Sequence, residues 1–156
     1  MKLAGAGSSS VHVWDLAAPG VVTSYLDSHT EDVTQVRFHA THADLLYSAS
    51  VDGLVCQFDT SVADEDDALL TVLPIEDSVR NIGFIGGSHL YAITHTELVS
   101  VFNLETEQRV VDRCNVRQAY AANGIEVDFV VDCQADAEAG RLLVLTGTST
   151  YVSYTS

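Results

Sequence analysis

Short segments in which apolar and polar residues alternate run along the chain, with turn-forming residues between them. Alternation with a period of two is typical of a β-strand with one buried face, and the longer apolar period of a helix is hard to find. The pattern therefore predicts an all-β chain. The predicted strands are 11–16, 21–26, 33–38, 45–50, 54–59, 68–73, 79–85, 90–94, 98–104, 108–112, 125–133, 141–146 and 151–154.

Three segments between the predicted strands stand out. Asp52 and Gly53 form a pair that readily adopts the positive φ angles of a tight hairpin turn. The acidic stretch 61–67, SVADEDD, is predicted to be a solvated loop, with a docking segment for a basic protein as the alternative. The stretch 115–124 is where a short helix or a long loop is expected.

A repeat becomes visible when strands that end in an aromatic and a polar residue are compared. The sequences VHVWDL, VCQFDT and VSVFNL place Trp14, Phe58 and Phe102 at equivalent positions, and both intervals between them are 44 residues. A period of about 40–45 residues with a closing Trp-Asp pair marks the four-stranded blades of a β-propeller. In this feature the chain resembles the WD-repeat family, and residues 29–59 match nearly a whole repeat.

The resemblance implies a single partial β-propeller domain made of four-stranded antiparallel blades. At 44 residues a blade, 156 residues correspond to about 3.5 blades in an incomplete ring, approximately 1–27, 28–73, 74–112 and 113–156. The first repeat would begin in its second strand, at KLAGAGS, and the last would lack an outer strand. We expect a fragment of a longer product, and two copies that complete each other through exposed blade edges are the alternative.

The WD-repeat pattern also implies a polar network inside the best-matched blade. It calls for a His before the innermost strand, a Ser on the second strand, an Asp in the next turn and a Trp on the third strand. The corresponding residues are His29, Ser48, Asp52 and Phe58. Phe58 fills the volume of Trp but has no N–H, so the expected network shortens to His29 and Asp52, with Ser48 bonded locally. We expect a structural role, because a buried carboxylate needs hydrogen-bond donors.

The neighbouring repeats lack this pattern. The same offsets place Ser8 and Thr96 at the Asp position and Ala4 and Ala92 at the Ser position. Neither repeat has a His–Asp pair there, so we expect both blades to depend on apolar packing.

Candidate chemistry is sparse elsewhere in the sequence. His39 and His42 are three residues apart, as in some metal sites, but a third ligand is missing nearby, which favours a solvated loop. The stretch AGAGSSS lacks the Lys of a phosphate-binding loop, and the serines have no nucleophile motif around them. The sequence therefore predicts no enzyme, no metal site and no cofactor.

The charge of the chain narrows the class of partner. Seven Lys and Arg against 22 Asp and Glu give a formal net charge of -15, which disfavours direct binding to nucleic acid or to an anionic membrane and favours basic proteins. Three cysteines without metal-ligand spacing fit a reducing compartment. The sequence has neither a signal-peptide pattern nor an apolar run of about 18 residues, so cytoplasm or nucleus is expected.

The family resemblance implies a scaffold that holds other proteins, with basic nuclear proteins or ribosome assembly as the suggested setting. Partners of WD-repeat proteins often touch residues that flank the polar network, and the matching positions are Asp32, Thr34, Val51, Ser78, Arg80 and His95. The alternative is a small-ligand-binding or enzymatic propeller that uses the central channel. The innermost strands argue against that alternative because they are largely apolar, with Val33, Val36, Val79 and Ile82.

Overall fold

Thirteen β-strands and two short helices make up the secondary structure of the residues that the computed structural model describes, which are 1–17, 20–136 and 141–148. The strands are β1 Lys2–Gly7, β2 Ser10–Asp15, β3 Val21–Tyr25, β4 Val33–Phe38, β5 Leu45–Ser50, β6 Leu54–Asp59, β7 Leu69–Pro74, β8 Val79–Ile85, β9 His89–Thr94, β10 Leu98–Asn103, β11 Arg109–Asn115, β12 Phe129–Asp136 and β13 Arg141–Gly147. The helices are α1 Glu65–Ala68 and α2 Val116–Ala121.

The strands form four antiparallel sheets, named here sheet A (β1–β3), sheet B (β4–β7), sheet C (β8–β11) and sheet D (β12 and β13). Strands that are consecutive in the chain are neighbours in each sheet, so sheets A, B and C are meanders and sheet D is a hairpin. The sheets are stacked in chain order, because β4 contacts β1 on one side and β8 on the other, and β8 contacts β12. The predicted all-β fold of stacked antiparallel blades is confirmed.

Apolar side chains fill a layer between each pair of neighbouring sheets. Between sheets A and B the buried side chains are Val11, Val13, Tyr25, Leu46, Cys56, Phe58 and Ala68. Between sheets B and C they are Tyr47, Ala49, Val55, Leu73, Ile75, Val79, Ile82, Leu90, Ala92 and Phe102. Between sheets C and D they are Tyr91, Ile93, Val99, Val101, Val116, Val130 and Cys133. Full burial of one large side chain contributes about 1.5–3 kcal/mol, so these layers are what holds the stack together.

The strand bounds follow the alternation pattern closely in sheets B and C. Strands β4, β5, β6 and β8 begin and end at the predicted residues. The strand expected at 125–133 is displaced, since β12 begins at Phe129, and the strand expected at 151–154 lies outside the described residues.

Helix α2 explains the displacement of β12. The helix lies within the stretch 115–124, where a short helix or a long loop is expected, and the Asn115 side chain caps it by accepting a hydrogen bond from the Gln118 N–H at 3.1 Å. At its end, Gly124 has a φ of 72° and the Ile125 N–H donates to the Tyr120 carbonyl at 3.1 Å. Because Ile125 takes part in this left-handed helix ending, the next strand starts later than its apolar residues suggest.

The acidic stretch 61–67 is not a free solvated loop, which corrects that prediction. Its Glu65 carboxylate accepts hydrogen bonds from the backbone N–H groups of Leu26 at 2.5 Å, Asp27 at 3.0 Å and Ser28 at 2.8 Å. Burial opposes the ionisation of Glu65, but these donors and the Ser28 hydroxyl outweigh it and lower the pKa of the carboxyl. Glu65 therefore fixes the connection from sheet A into sheet B, whereas Asp66 and Asp67 are exposed.

Within the described ranges, the helices are all too short or too polar to cross a bilayer.

Candidate functional site

A chain of three buried polar side chains closes one end of sheet B. His29, in the connection before β4, lies with its Nδ1 atom 2.9 Å from the Asp52 Oδ2 atom, and Asp52 is in the turn between β5 and β6. The Nε2 atom of His29 lies 2.7 Å from the Ser48 hydroxyl on β5. A carboxylate only accepts, so His29 carries a proton on Nδ1, and in a neutral imidazole Nε2 then accepts the Ser48 hydroxyl proton. The network ties the innermost strand to the β5–β6 turn.

Further hydrogen bonds hold the Asp52 carboxylate. It accepts from the backbone N–H of Thr30 at 3.1 Å and from that of Leu54 at 3.0 Å. Burial alone would raise the pKa of Asp52, but the bonds from His29, Thr30 and Leu54 outweigh it and hold the pKa below its ordinary value. Asp52 is therefore a fully engaged carboxylate in the folded chain.

Ser48 belongs to this network, contrary to the prediction that it is bonded locally. The prediction followed from the missing N–H of Phe58, but the serine hydroxyl turns to the imidazole instead. Phe58 compensates by packing, since its ring stacks on that of Tyr25 with centroids 4.3 Å apart and planes inclined by 2°. The aromatic position thus contributes to the contact between sheets A and B rather than to the polar network.

The order of atoms from Asp52 through His29 to Ser48 is that of a catalytic Ser-His-Asp triad. A nucleophilic serine must meet its substrate, and a triad also needs donors for an oxyanion. Ser48 is 0% exposed, and its sheet neighbours Ala49 and Cys56 are equally buried. The geometry therefore supports a structural role for these three side chains.

Sheet C has a polar link of its own, which corrects the expectation that this blade depends on packing alone. Asp77, in the connection before β8, accepts a hydrogen bond from the Thr96 hydroxyl in the turn after β9. Thr96 lies 2.9 Å from the Thr94 hydroxyl, which in turn accepts from the Leu98 N–H at 3.1 Å. The link joins the same two places as the His29–Asp52 pair, with the carboxylate at the opposite end. Offsets counted from Phe102 reach Thr96 but not Asp77.

Ser8, the residue at the Asp position of the first repeat, connects two sheets. Its carbonyl accepts from the Val33 N–H at 2.7 Å, and its hydroxyl donates to the Asp32 carboxylate at 3.3 Å. Ser8 thereby joins the β1–β2 turn of sheet A to the start of β4 in sheet B.

Four of the six predicted partner-binding residues lie along one rim of sheets B and C. Val51 donates its N–H to the Asp32 carbonyl at 2.9 Å, and His95 donates its N–H to the Ser78 carbonyl at 2.8 Å. Each pair joins the start of an innermost strand to the turn after the second strand, so both pairs occupy the same rim. Asp32, Val51 and His95 are exposed, and Ser78 is half-buried.

The other two predicted residues, Thr34 and Arg80, hold neighbouring sheets together. The Thr34 hydroxyl lies 2.9 Å from the Val79 carbonyl, across from sheet B to sheet C. An Arg80 Nη2 donates to the carbonyls of Val130 at 2.8 Å and Val131 at 3.1 Å, across from sheet C to sheet D. Their polar atoms are already engaged in these contacts.

His39 and His42 form part of a turn rather than a metal site. His39 is buried, its Nε2 atom donates to the Gly87 carbonyl at 3.0 Å, and its Nδ1 atom accepts from the N–H groups of Thr41 and His42 at 3.2 Å each. Both ring nitrogens are thus engaged. Burial lowers the pKa of His39. The prediction of a solvated loop is wrong for His39, which fastens the β4–β5 turn of sheet B to the β8–β9 turn of sheet C.

Several contacts between sheets had no signal in the sequence. Gln35 accepts a hydrogen bond from the Ile82 N–H at 2.6 Å, between sheets B and C. The Tyr91 hydroxyl donates to the Cys133 carbonyl at 2.7 Å, between sheets C and D. Tyr91 passes so close to Gly83 that a Cβ atom there would lie 2.4 Å from the hydroxyl oxygen.

The polar groups inside this stack satisfy one another. In residues 1–17, 20–136 and 141–148, every buried side-chain nitrogen or oxygen has a hydrogen-bond partner, and no three His, Cys, Asp or Glu side chains are grouped to hold a metal ion. An open cavity of about 530 Å³ borders the His39 turn, but the Lys2 ammonium that faces it is held by Asp44 at 2.6 Å and Thr60 at 2.9 Å.

Comparison with known proteins connects this geometry to a family. The chain is 35% identical over 150 residues, or 92% of its length, to the WD repeat-containing protein 89 homolog of Dictyostelium discoideum. It is 36% identical over 136 residues, or 84% of its length, to the WD repeat-containing protein GTS1 of Arabidopsis thaliana. The chain belongs to the WD-repeat β-propeller family.

This WD-repeat chain matches only part of each relative. The chain spans 41% of the length of the Dictyostelium relative and 35% of the length of the Arabidopsis relative. Among solved structures, the WD40 β-propeller domain of Doa1 superposes with a TM-score of 0.53 over 65% of this chain and 32% of that one, at 15% identity, which supports the fold. No family model matches the chain.

Proposed function

We propose that this WD-repeat chain is part of a non-catalytic scaffold that binds other proteins, basic ones above all, in the cytoplasm or nucleus. Basic nuclear proteins and the proteins of ribosome assembly are the partner classes that fit best. The contact surface is the rim of sheets B and C that carries Asp32, Val51, Ser78 and His95.

The continuity of this rim is the observation that carries the proposal. The Asp32–Val51 and Ser78–His95 backbone bonds place two pairs of surface side chains side by side on adjacent sheets, and Thr34 fixes one sheet against the other. A rigid scaffold that presents turn residues on one face is the usual setting for protein recognition.

Charge favours a basic partner at this rim. Glu31 and Asp32 are exposed beside the polar network, and the half-buried Asp77 lies in the corresponding connection of sheet C. With a formal net charge of -15 behind them, these carboxylates attract basic proteins over a distance and speed their association at low salt.

The observed contacts give the alternative, a ligand or a reaction in the central channel, less support. Two polar side chains of the innermost strands are used between sheets, Gln35 with the Ile82 N–H at 2.6 Å and Asn81 with Asp132 at 2.8 Å. The Ser48 hydroxyl, which is hydrogen-bonded to the Asp52-linked His29, is buried. A second copy of the chain is the other protein partner to consider, because among the described residues the outer edges of β1 and β13 pair with no strand.

The test is affinity purification of the complete gene product with mass spectrometry, at physiological and at raised salt. Asp32→Lys reverses one rim charge and should reduce the recovery of basic proteins, as should raised salt. Glu105→Lys is the matched control, since Glu105 follows the third strand of sheet C and so lies at the opposite rim. Equal recovery with Asp32→Lys and wild type would contradict the proposed contact surface.

A further inference from the structure

The outermost strands of sheets A, B and C differ in how their free edges are protected. Strand β11 carries the charged residues Arg109, Asp112 and Arg113, and its register with β10 is interrupted twice. Such charges and irregularities prevent other strands from pairing with an edge. Strand β7, with the sequence LLTVLP, has no charged residue.

Strand β7 also displays apolar side chains to solvent at alternate positions. Leu70 is 51% exposed and Val72 is 42% exposed, whereas Leu73 is buried. Thr71, between Leu70 and Val72, donates a hydrogen bond from its hydroxyl to the Glu107 carboxylate of sheet C at 2.8 Å. In β3, by contrast, the exposed residues Val21 and Val22 are adjacent rather than alternating. Alternating exposure is what an added strand needs in order to pack side chains on one face.

Within the described residues the side of β7 away from β6 pairs with no strand, and the Pro74 carbonyl at the end of β7 accepts a hydrogen bond from an Arg109 Nη2 of sheet C. Strand β7 ends the order of sheet B. Its register with β6 is regular from Thr71 to Pro74, and the irregularity is confined to its start. An edge of this kind accepts an extended peptide through main-chain hydrogen bonds, with specificity from alternate side chains.

Charge decides which occupant fits this edge. Asp66 and Asp67 lie in α1, which directly precedes β7, and are exposed, and no hydrogen bond or ion pair engages their carboxylates among the described residues. An extended segment with Lys or Arg beside its apolar residues would meet these carboxylates. A second copy of this chain would bring another formal charge of -15, which opposes the association of two copies.

We propose that the outer edge of β7 is a second docking site, which takes an extended, Lys- or Arg-flanked segment of a partner protein as a fifth strand of sheet B. This inference deepens the proposed scaffold function and rests on it. Leu70 and Val72 contact alternate apolar side chains of the segment, and Asp66 and Asp67 contact its basic flank.

The experiment uses synthetic peptides of about ten residues, the length of a long strand, in which Val and Thr alternate between Lys residues. Binding is read by fluorescence anisotropy, and its location by hydrogen exchange of the backbone amides. The Lys-flanked peptide should slow the exchange of residues 70–73. A Glu-flanked peptide and one with N-methylated alternate amides should each bind at least about tenfold more weakly, since each removes one of the two sources of affinity.

Variants of the chain locate the site. Val72→Lys should weaken binding of the Lys-flanked peptide by about tenfold or more, because a charge on the edge opposes strand addition. Val110→Lys is the matched control, since Val110 is an exposed valine of the already protected β11, and it should leave binding unchanged. Melting midpoints close to that of wild type show that both variants fold. Asp66→Lys should weaken the Lys-flanked peptide and strengthen the Glu-flanked one.

Three results would overturn the inference: no binding of any of these peptides, protection that falls on strands other than β7, or equal binding by the Val72→Lys and wild-type chains. A dimer in sedimentation velocity that Val72→Lys dissociates would put a second copy on the edge and would also overturn it. Asp32→Lys should leave peptide binding unchanged, so a failure here is distinguishable from a failure of the rim proposal.

Discussion

Sheets B and C solve the same structural problem with different residues. Both must fasten the connection before the innermost strand to the turn after the second strand. Sheet B uses the imidazole of His29 in the connection and the carboxylate of Asp52 in the turn. Sheet C reverses the polarity, with the carboxylate of Asp77 in the connection and the hydroxyl of Thr96 in the turn. The position of the link is thus retained in this fold when the residues that make it are exchanged.

The two links differ in burial. The side chains of His29 and Asp52 are 1% and 5% exposed, whereas Thr96 is exposed and Asp77 is half-buried. Removal of one partner of a buried hydrogen bond lowers the free energy of unfolding more than removal of one partner of an exposed bond, because the remaining partner stays buried and unsatisfied. The stability of sheet B should therefore depend on the His29–Asp52 network more than that of sheet C depends on the Asp77–Thr96 link. Both sheets should depend on their buried aromatic rings, Phe58 and Phe102.

The largest effect is expected at the aromatic positions. Phe58→Ala and Phe102→Ala each remove a fully buried ring between sheets, at 0% and 2% exposure, and should each lower the free energy of unfolding by about 3–5 kcal/mol. Urea denaturation measures both. If Phe102→Ala lowered the free energy of unfolding by less than half as much as Phe58→Ala, the two rings would not make equivalent contributions to the packing of their sheets.

Removal of the polar link should lower the stability of the chain more in sheet B than in sheet C. Asp52→Ala should lower the free energy of unfolding by about 1–3 kcal/mol, because it leaves the buried His29 imidazole without its acceptor. Asp77→Ala should cost less, about 0.5–1.5 kcal/mol, since water can replace the lost partner. Thermal melts of both variants at neutral pH test the order. An unchanged midpoint for Asp52→Ala, or a larger loss for Asp77→Ala, would contradict the comparison.

A smaller effect should depend on pH and involves the contact between the two sheets. His39 is held neutral, with its pKa lowered chiefly by burial and also by the neighbouring His42, whereas its bond to Gly87 acts in the opposite direction. A depressed histidine pKa contributes stability above the unfolded value of about 6.5, and that stability is lost as the pH falls below it.

Melting midpoints at pH 7.5 and pH 5.5 check the pH effect, each about one unit from the unfolded pKa. His39→Gln keeps a neutral donor and acceptor, so the variant should lose less stability than wild type on acidification. An identical pH dependence in the His39→Gln and wild-type chains would rule out His39 as the cause.

The sequence predicts sheet B better than any other part because its signals are local. Alternation sets the bounds of β4, β5 and β6, and the Asp52-Gly53 pair sets the hairpin. The fixed spacing of a WD repeat identifies His29 and Asp52 as a pair. The repeat spacing does not identify Asp77, because Asp77 lies out of register with the repeat, in a connection whose length differs from that of the corresponding connection of sheet B.

What the sequence could not predict are contacts made between sheets. Glu65 belongs to an acidic stretch that resembles a solvated loop, yet three backbone N–H groups of the connection from sheet A to sheet B converge on it. Buried His39 and the Arg80 bonds to sheet D depend likewise on which sheet is packed beside which. Such partners are far apart in the sequence, so a local sequence pattern does not indicate that they are in contact.

His29 and Asp52 act as one structural unit within the stack. A double-mutant cycle of His29→Ala, Asp52→Ala and the double variant, with free energies of unfolding from urea denaturation, measures how strongly the two side chains depend on each other. We predict a coupling of about 1–2 kcal/mol, so that the double variant loses clearly less than the sum of the single losses. Losses that add to within about 0.3 kcal/mol would show that the two side chains do not stabilise the fold through each other.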